Sequence, residues 1–274
     1  MDIYEKTTRF YESWTGEKRN IGRSVFGRNL YAVKIGNGAP VGIAQYAIHG
    51  REFITAELAF LHAKIGVKGS LWLLPLTNPD GALLSQIGVT SAPTTERKKL
   101  LALNAGEEDF SLWKANGRGV DLNVNFEARW GQGIRNVRIA GAENYIGEKP
   151  FSEPETLAIK RFTEQIQPNY TVSYHTKGEE IYWYFYQGEK TRARDERLAK
   201  SLSLSTGYPL ITTSGSVGGY KDWCIARFGI PAFTIETGAD SLRHPIREEG
   251  LDDILTRNQN ALFDLSTAYG IEEL

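Results

Sequence analysis

The stretch that most constrains this chain is Val41-Gly42-Ile43-Ala44-Gln45-Tyr46-Ala47-Ile48, an apolar run that stops at His49. A helical pattern starts near Glu52. A run of this length reads as a buried strand. The chain therefore sets a His and a Glu three residues apart where a strand gives way to a helix. In open α/β sheets, ligands collect at such strand ends. An imidazole and a carboxylate suit zinc, whose catalytic sites take three protein ligands and keep one position for water.

Two further strands end the same way. Tyr170-Thr171-Val172-Ser173-Tyr174 stops at His175, and Pro231-Ala232-Phe233-Thr234-Ile235 stops at Glu236. Between these strands the helical patterns lie over 52–64, 94–103, 153–165, 191–205, from Gly218-Gly219 to Phe228, and 252–269. Ser70 to Leu74 is another strand, two short strands flank Gly27, and a helix covers Ile3 to Trp14. Asn78-Pro79-Asp80-Gly81 is a turn signal. Residues 85–119 are mostly polar and irregular. This alternation predicts a three-layer α/β/α sandwich with a mixed, largely parallel central sheet. The expectation is one domain over 1–274, with 1–40 adding a helix and strands to it.

Composition narrows the function. The chain has 274 residues, 41% hydrophobic and 24% charged, enough for one sizeable core. Its 32 basic and 33 acidic residues leave a net charge of -1, so no basic excess suggests nucleic acid or an anionic membrane. The single cysteine, Cys224, excludes an intrachain disulfide and sits in an apolar stretch that suits a buried thiol. No apolar run has transmembrane length, and Met1 to Glu5 shows no leader pattern, so a cytoplasmic protein is expected.

Taken in order, His49-x-x-Glu52, Asn78-Pro79-Asp80-Gly81, Gly119-Val120-Asp121-Leu122-Asn123, His175 and Glu236 resemble the zinc metallocarboxypeptidases of the carboxypeptidase A type. The strings Trp113 to Asn123 and His175 to Trp183 are most similar to the bacterial γ-D-glutamyl-diaminopimelate peptidases. The resemblance implies one zinc ion on His49, Glu52 and His175, with Glu236 as general base. It implies a muropeptide or small peptide as substrate, met in the cytoplasm or in a sporulating cell. It also places Asn123 and Tyr220 at the substrate.

Two departures bear on specificity. Val124 stands where the pancreatic-type enzymes carry an arginine for the terminal carboxylate, and Ser214 where they carry a substrate-binding tyrosine. The expected replacement anchor is Arg118, for the oxyanion or a substrate carboxylate, with Arg129, Arg135 and Arg138 behind it. Glu179 or Glu180 is a candidate for the substrate's free amine. Two other readings stay open: a zinc deacylase of N-acyl amino acids, like the aspartoacylases and desuccinylases, and a non-catalytic muropeptide-binding protein.

Overall fold

The computed structural model describes residues 1–212 and 215–270. Among the described residues eight strands form one sheet: β1 (Lys18–Arg23), β2 (Asn29–Gly36), β3 (Val41–Tyr46), β4 (Ser70–Leu74), β5 (Tyr170–His175), β6 (Glu180–Tyr182), β7 (Leu210–Ile211) and β8 (Ala232–Glu236). Their spatial order is β1-β2-β4-β3-β5-β8-β6-β7. The centre, β4-β3-β5-β8, is parallel, while β1, β2 and β6 add antiparallel pairings. The helices are α1 (Ile3–Ser13), α2 (Ala56–His62), α3 (Pro79–Ile87), α4 (Thr94–Leu103), α5 (Pro154–Ile166), α6 (Glu189–Thr206), α7 (Tyr220–Phe228), α8 (Glu248–Asn258) and α9 (Ala261–Gly270).

The two-residue alternation of strand side chains divides the core into two layers. On one face Ala44, Tyr46, Leu71, Leu73, Val172, Tyr174, Phe233 and Ile235 pack against α2, α6, α8 and α9. On the other, Ile43, Trp72, Leu74 and Ala232 meet Ile159 and Phe162 of α5 and Trp223 and Ile225 of α7. Both faces being covered, the central strands read as unbroken apolar runs, as parallel strands in such folds do.

Several boundaries differ from the sequence expectation. β3 ends at Tyr46, because Ala47 turns the chain at φ 52°. The helix expected from Glu52 begins as a 3-10 turn, Gly50–Thr55, and becomes α2 at Ala56. Asn78-Pro79-Asp80-Gly81 starts a helix: Asn78 Oδ1 caps Gly81 N–H at 2.9 Å and Pro79 fills the first turn, where its missing N–H costs nothing. The closing helix is two helices, interrupted at Gln259 and Asn260. Strands β6 and β7 have three and two residues, too short for periodicity to show.

The stretch between α4 and α5 has no α-helix, yet it is held firmly. Asn125 is wholly buried, and its amide nitrogen donates to Ile146 O, Lys149 O and Ser152 Oγ at 2.8, 3.1 and 3.0 Å. Asn116, also buried, reaches Glu153 Oε2 and Glu155 Oε2 at 2.8 and 3.2 Å. Side-chain amides here satisfy groups that a helix or sheet would otherwise pair. Leu73→Ala, in the centre of the sheet, should destabilise the fold by about 2–5 kcal/mol, whereas Leu204→Ala, 88% exposed, should stay within about 0.5 kcal/mol. Urea unfolding of both variants measures the contrast.

Candidate active site

The parallel centre brings four side chains to one end of the sheet. β3 pairs with β5 through Tyr46 and Tyr174, so His49 emerges beside His175. β5 pairs with β8 through His175 and Glu236. The turn at Gly50 needs glycine, since a Cβ there would lie 2.5 Å from the Gly81 backbone and 2.7 Å from Trp113 O. Asn78 Nδ2 links Ile48 O to Ala115 O at 3.0 and 3.1 Å, fastening the end of β3 to the 113–116 segment.

Glu52 lies between the two imidazoles. Its Oε1 is 2.9 Å from His49 Nδ1, its Oε2 is 3.0 Å from His175 Nδ1, and the two Nδ1 atoms are 3.1 Å apart. All three residues are buried, and their ligand atoms lie within 4.8 Å of one another. Burial alone would raise the Glu52 pKa, but the histidines outweigh it and hold the carboxylate well below its usual range. Two nitrogens with one carboxylate, converging in a buried pocket, form a donor set that suits zinc. Facing Nδ1 atoms suit a shared cation better than each other.

Behind His49 stands Asp121, wholly buried. Its Oδ1 lies 3.2 Å from His49 Nε2, close enough for an ion pair though not aligned as a hydrogen bond. Its other oxygen meets Lys114 Nζ at 3.0 Å and the Asn144 N–H at 3.2 Å. Burial disfavours this carboxylate too, yet Lys114 and His49 overcome that and lower its pKa. Such a carboxylate leaves His49 its proton on Nε2 and turns the Nδ1 lone pair inward. Burial also disfavours the Lys114 ammonium, but Asp121 and Glu52 raise its pKa, so it stays charged. Glu236 differs: burial pushes its carboxyl up to about 7, with His175 opposing and Glu52 adding to the rise.

A cavity of about 470 Å³ opens onto His49 and Glu236. Lys114, Arg135 and Lys221 line it, together with Asn123, Asn136, Asn144, Tyr182 and Asp222. Asn123 is thus at the cavity, where its Oδ1 accepts from Tyr220 N–H at 3.3 Å and its amide nitrogen can face a ligand. Ser214 lies outside the described residues; its neighbours Gly215 and Ser216 line the cavity.

Three expected residues are elsewhere. Arg118 sits at the tip of a turn closed by Asn116 N–H to Val120 O at 2.9 Å, so its side chain points outward, 3.7 Å from Glu153 and half exposed. Glu179 pairs with Arg257 at 2.7 Å and is not at the cavity. The Tyr220 ring turns inward, its hydroxyl 2.9 Å from Thr163 Oγ1. Of the reserve arginines, Arg129 covers Tyr186 and Arg138 covers Trp130, leaving Arg135 at the cavity. His62 is structural: burial lowers its pKa to about 4, and it bridges Tyr46 OH and Asn258 O at 2.8 and 3.0 Å. His244, given no role by the sequence, braces Thr176, the residue after His175, through its hydroxyl at 3.0 Å.

Sequence reasoning gave no role to Lys114, Asp121, Lys221 or Asp222. The available signal was a charged residue embedded among apolar neighbours in the motif strings, as in Trp113-Lys114 and Val120-Asp121-Leu122.

The profile of the zinc carboxypeptidases matches residues 11–254. The chain belongs to the zinc carboxypeptidase family. The chain spans less than two thirds of the length of the first curated relative it matches. It is 32% identical over 250 residues to γ-D-glutamyl-L-diamino acid endopeptidase 1 of Lysinibacillus sphaericus, covering 83% of this chain and 62% of that one. It is 30% identical over 199 residues to murein peptide amidase A of Escherichia coli K12, covering 68% and 77% respectively. Bovine thrombin-activatable fibrinolysis inhibitor shares the fold at TM-score 0.77 and 18% identity, covering 100% of this chain and 98% of that one. The murein-tripeptide amidase of Escherichia coli O157 does so at 0.59 and 22%, covering 94% of each chain. No described helix of this zinc carboxypeptidase relative is long and apolar enough to cross a membrane.

Asp121→Asn should weaken zinc binding by about 10–100-fold, the usual effect of removing a carboxylate behind a ligating histidine. Competition with a chromophoric chelator measures it; unchanged affinity would remove Asp121 from the site.

Proposed function

We propose that this zinc carboxypeptidase family member hydrolyses peptidoglycan stem peptides at the γ-D-glutamyl-diaminopimelate bond. The observation that carries the reading is the charge of the cavity. Lys114, Arg135 and Lys221 line it against the carboxylates Asp222 and Glu236. A γ-linked D-Glu keeps its own α-carboxylate free beside the scissile bond, and diaminopimelate brings more. Such a substrate carries more carboxylates than ammonium groups, an excess that a cavity lined by more cations than carboxylates favours. The printed names of the endopeptidase and the murein peptide amidase point to the same class of substrate. Val124, lining the cavity, offers no partner to a simple terminal carboxylate, and burying one unpaired costs several kcal/mol. Ordinary carboxypeptidase trimming is disfavoured accordingly.

The roles divide by atom. His49 Nδ1, His175 Nδ1 and the Glu52 carboxylate would hold zinc, which when bound supplies an acidified water and a polarised carbonyl. Asp121 fixes the tautomer and aim of His49. Glu236, partly buried at the end of β8, takes a proton from water and returns it to the leaving amine. Its carboxyl is raised toward neutrality, where a general base works well, and a dication nearby would draw it down again. The oxyanion role expected of Arg118 passes to Lys114, a cation that lines the cavity and is tethered by Asp121. A fixed charge of this kind needs little reorganisation as negative charge develops.

Zinc-loaded protein incubated with L-Ala-γ-D-Glu-meso-diaminopimelate should release L-Ala-D-Glu, identified by mass, and a chelator should stop the reaction. Glu236→Gln should lower kcat by at least about 10²-fold with zinc content intact. Lys114→Met should cost about 10²–10³-fold in kcat with KM little changed. Zinc loss in the Glu236 variant would make that residue a ligand. Release of terminal residues from unrelated peptides, or cleavage of N-acyl amino acids alone, would reject the stem-peptide assignment.

A further inference from the structure

Resting on that reading, we infer that Lys221 and Asp222 form a paired-charge subsite that reads the distal zwitterionic head of diaminopimelate, its carboxylate against Lys221 and its ammonium against Asp222. Both residues open the first turn of α7, and both line the cavity. Lys221 Nζ lies 2.6 Å from Asp222 Oδ1 and donates to Tyr184 O at 3.1 Å. Its side chain is 11% exposed and that of Asp222 is 7% exposed, so the pair is largely withdrawn from water. Asp222 Oδ2 is anchored in turn by the Gly219 N–H at 3.3 Å, and Lys221 Nζ lies over the Phe185 ring, 5.5 Å from its centroid.

Hydrogen-bond capacity remains on both partners. An ammonium has three donors, and two are used here; a carboxylate has about four acceptor sites, and two are used. What remains is one donor and two acceptor sites on residues that line the cavity. A lone anion would be drawn to Lys221 and repelled by Asp222, and a lone cation the reverse. A group carrying an ammonium and a carboxylate on one carbon satisfies both without changing the net charge of the pocket. The far end of diaminopimelate is such a group. The side chain of lysine, which replaces diaminopimelate in a simple analogue, ends in an ammonium alone and would leave the Lys221 donor unmatched. A site built to pair a polar group discriminates strongly against a substrate that lacks it.

The division of labour in the cavity then becomes explicit. Lys221 and Asp222 take the distal head, which leaves Arg135 free for the D-Glu α-carboxylate and Lys114 for the reacting carbonyl. The subsite gives the free amine to Asp222 in place of Glu179 or Glu180, since Asp222 is a carboxylate beside a cavity cation.

The test compares three stem peptides alike except at the third residue: meso-diaminopimelate, diaminopimelate amidated at its distal carboxylate, and lysine. Wild-type kcat/KM should favour the first over each of the others by at least about 30-fold, within the range expected for loss of a matched charged contact. In Lys221→Met the ratio should collapse to within about threefold, and Lys221→Arg should retain most of the preference. Equal hydrolysis of the three peptides by the wild type overturns the subsite while leaving the stem-peptide reading intact. An undiminished ratio in Lys221→Met does the same. Hydrolysis of none of them by zinc-loaded wild type overturns both. Should Lys221→Met fail to fold, the amidated peptide decides the question on the wild-type protein alone.

Discussion

One buried carboxylate organises this molecule. Glu52 sits between two imidazoles whose Nδ1 atoms are 3.1 Å apart, and it also accepts from the Thr176 N–H at 3.3 Å. A charge so enclosed persists only with partners of matching geometry. Every partner is supplied by the sheet. His49 stands three residues beyond the end of β3, His175 ends β5, and β8 brings Glu236 alongside. A register slip of one residue between β3 and β5 would turn His175 to the other face. Tyr174, one residue inward from His175, stacks on its strand partner Tyr46 with ring centroids 5.1 Å apart and planes 2° from parallel, which adds shape to that register.

Much of this was legible in the sequence, and the reason is local. A strand buried on both faces reads as an apolar run, and a polar residue at its end stands out. His49, His175 and Glu236 each show that contrast, and the structure brings all three to one end of the sheet. The α/β/α layering follows from the same alternation. Glycine and asparagine signals proved less specific: Asn78-Pro79-Asp80-Gly81 suits a turn and a helix start equally well, and tertiary packing chose the helix.

The cavity lining was not legible, because it depends on how a long irregular segment is folded back. Arg118 is near Asn123 in sequence, yet a turn between Asn116 and Val120 throws it outward, with Gly119 at φ 75° allowing the reversal. Lys114 is farther from Asn123 in sequence but is brought to the cavity by Asn78, which clasps Ala115 O from across the β3 end. The path of 104–153 is set by buried amides bonding to distant carbonyls, and no period in the sequence records that. Tyr220 fails for a related reason. It begins α7, and at a helix start one residue decides between cavity and core: the Tyr220 ring takes the core and Lys221 takes the cavity.

The strand order has a consequence for association. The sheet ends on β1 at one side and β7 at the other. β7 is two residues long, and β1 carries Lys18, Arg19 and Arg23 within six. A short edge and a basic edge both discourage another extended segment from pairing with the backbone. A peptide therefore gains little by adding to this sheet as an extra strand. The cleft at the strand ends offers a ligand the charge and shape of its side chains in place of a free sheet edge that any extended polypeptide could pair with.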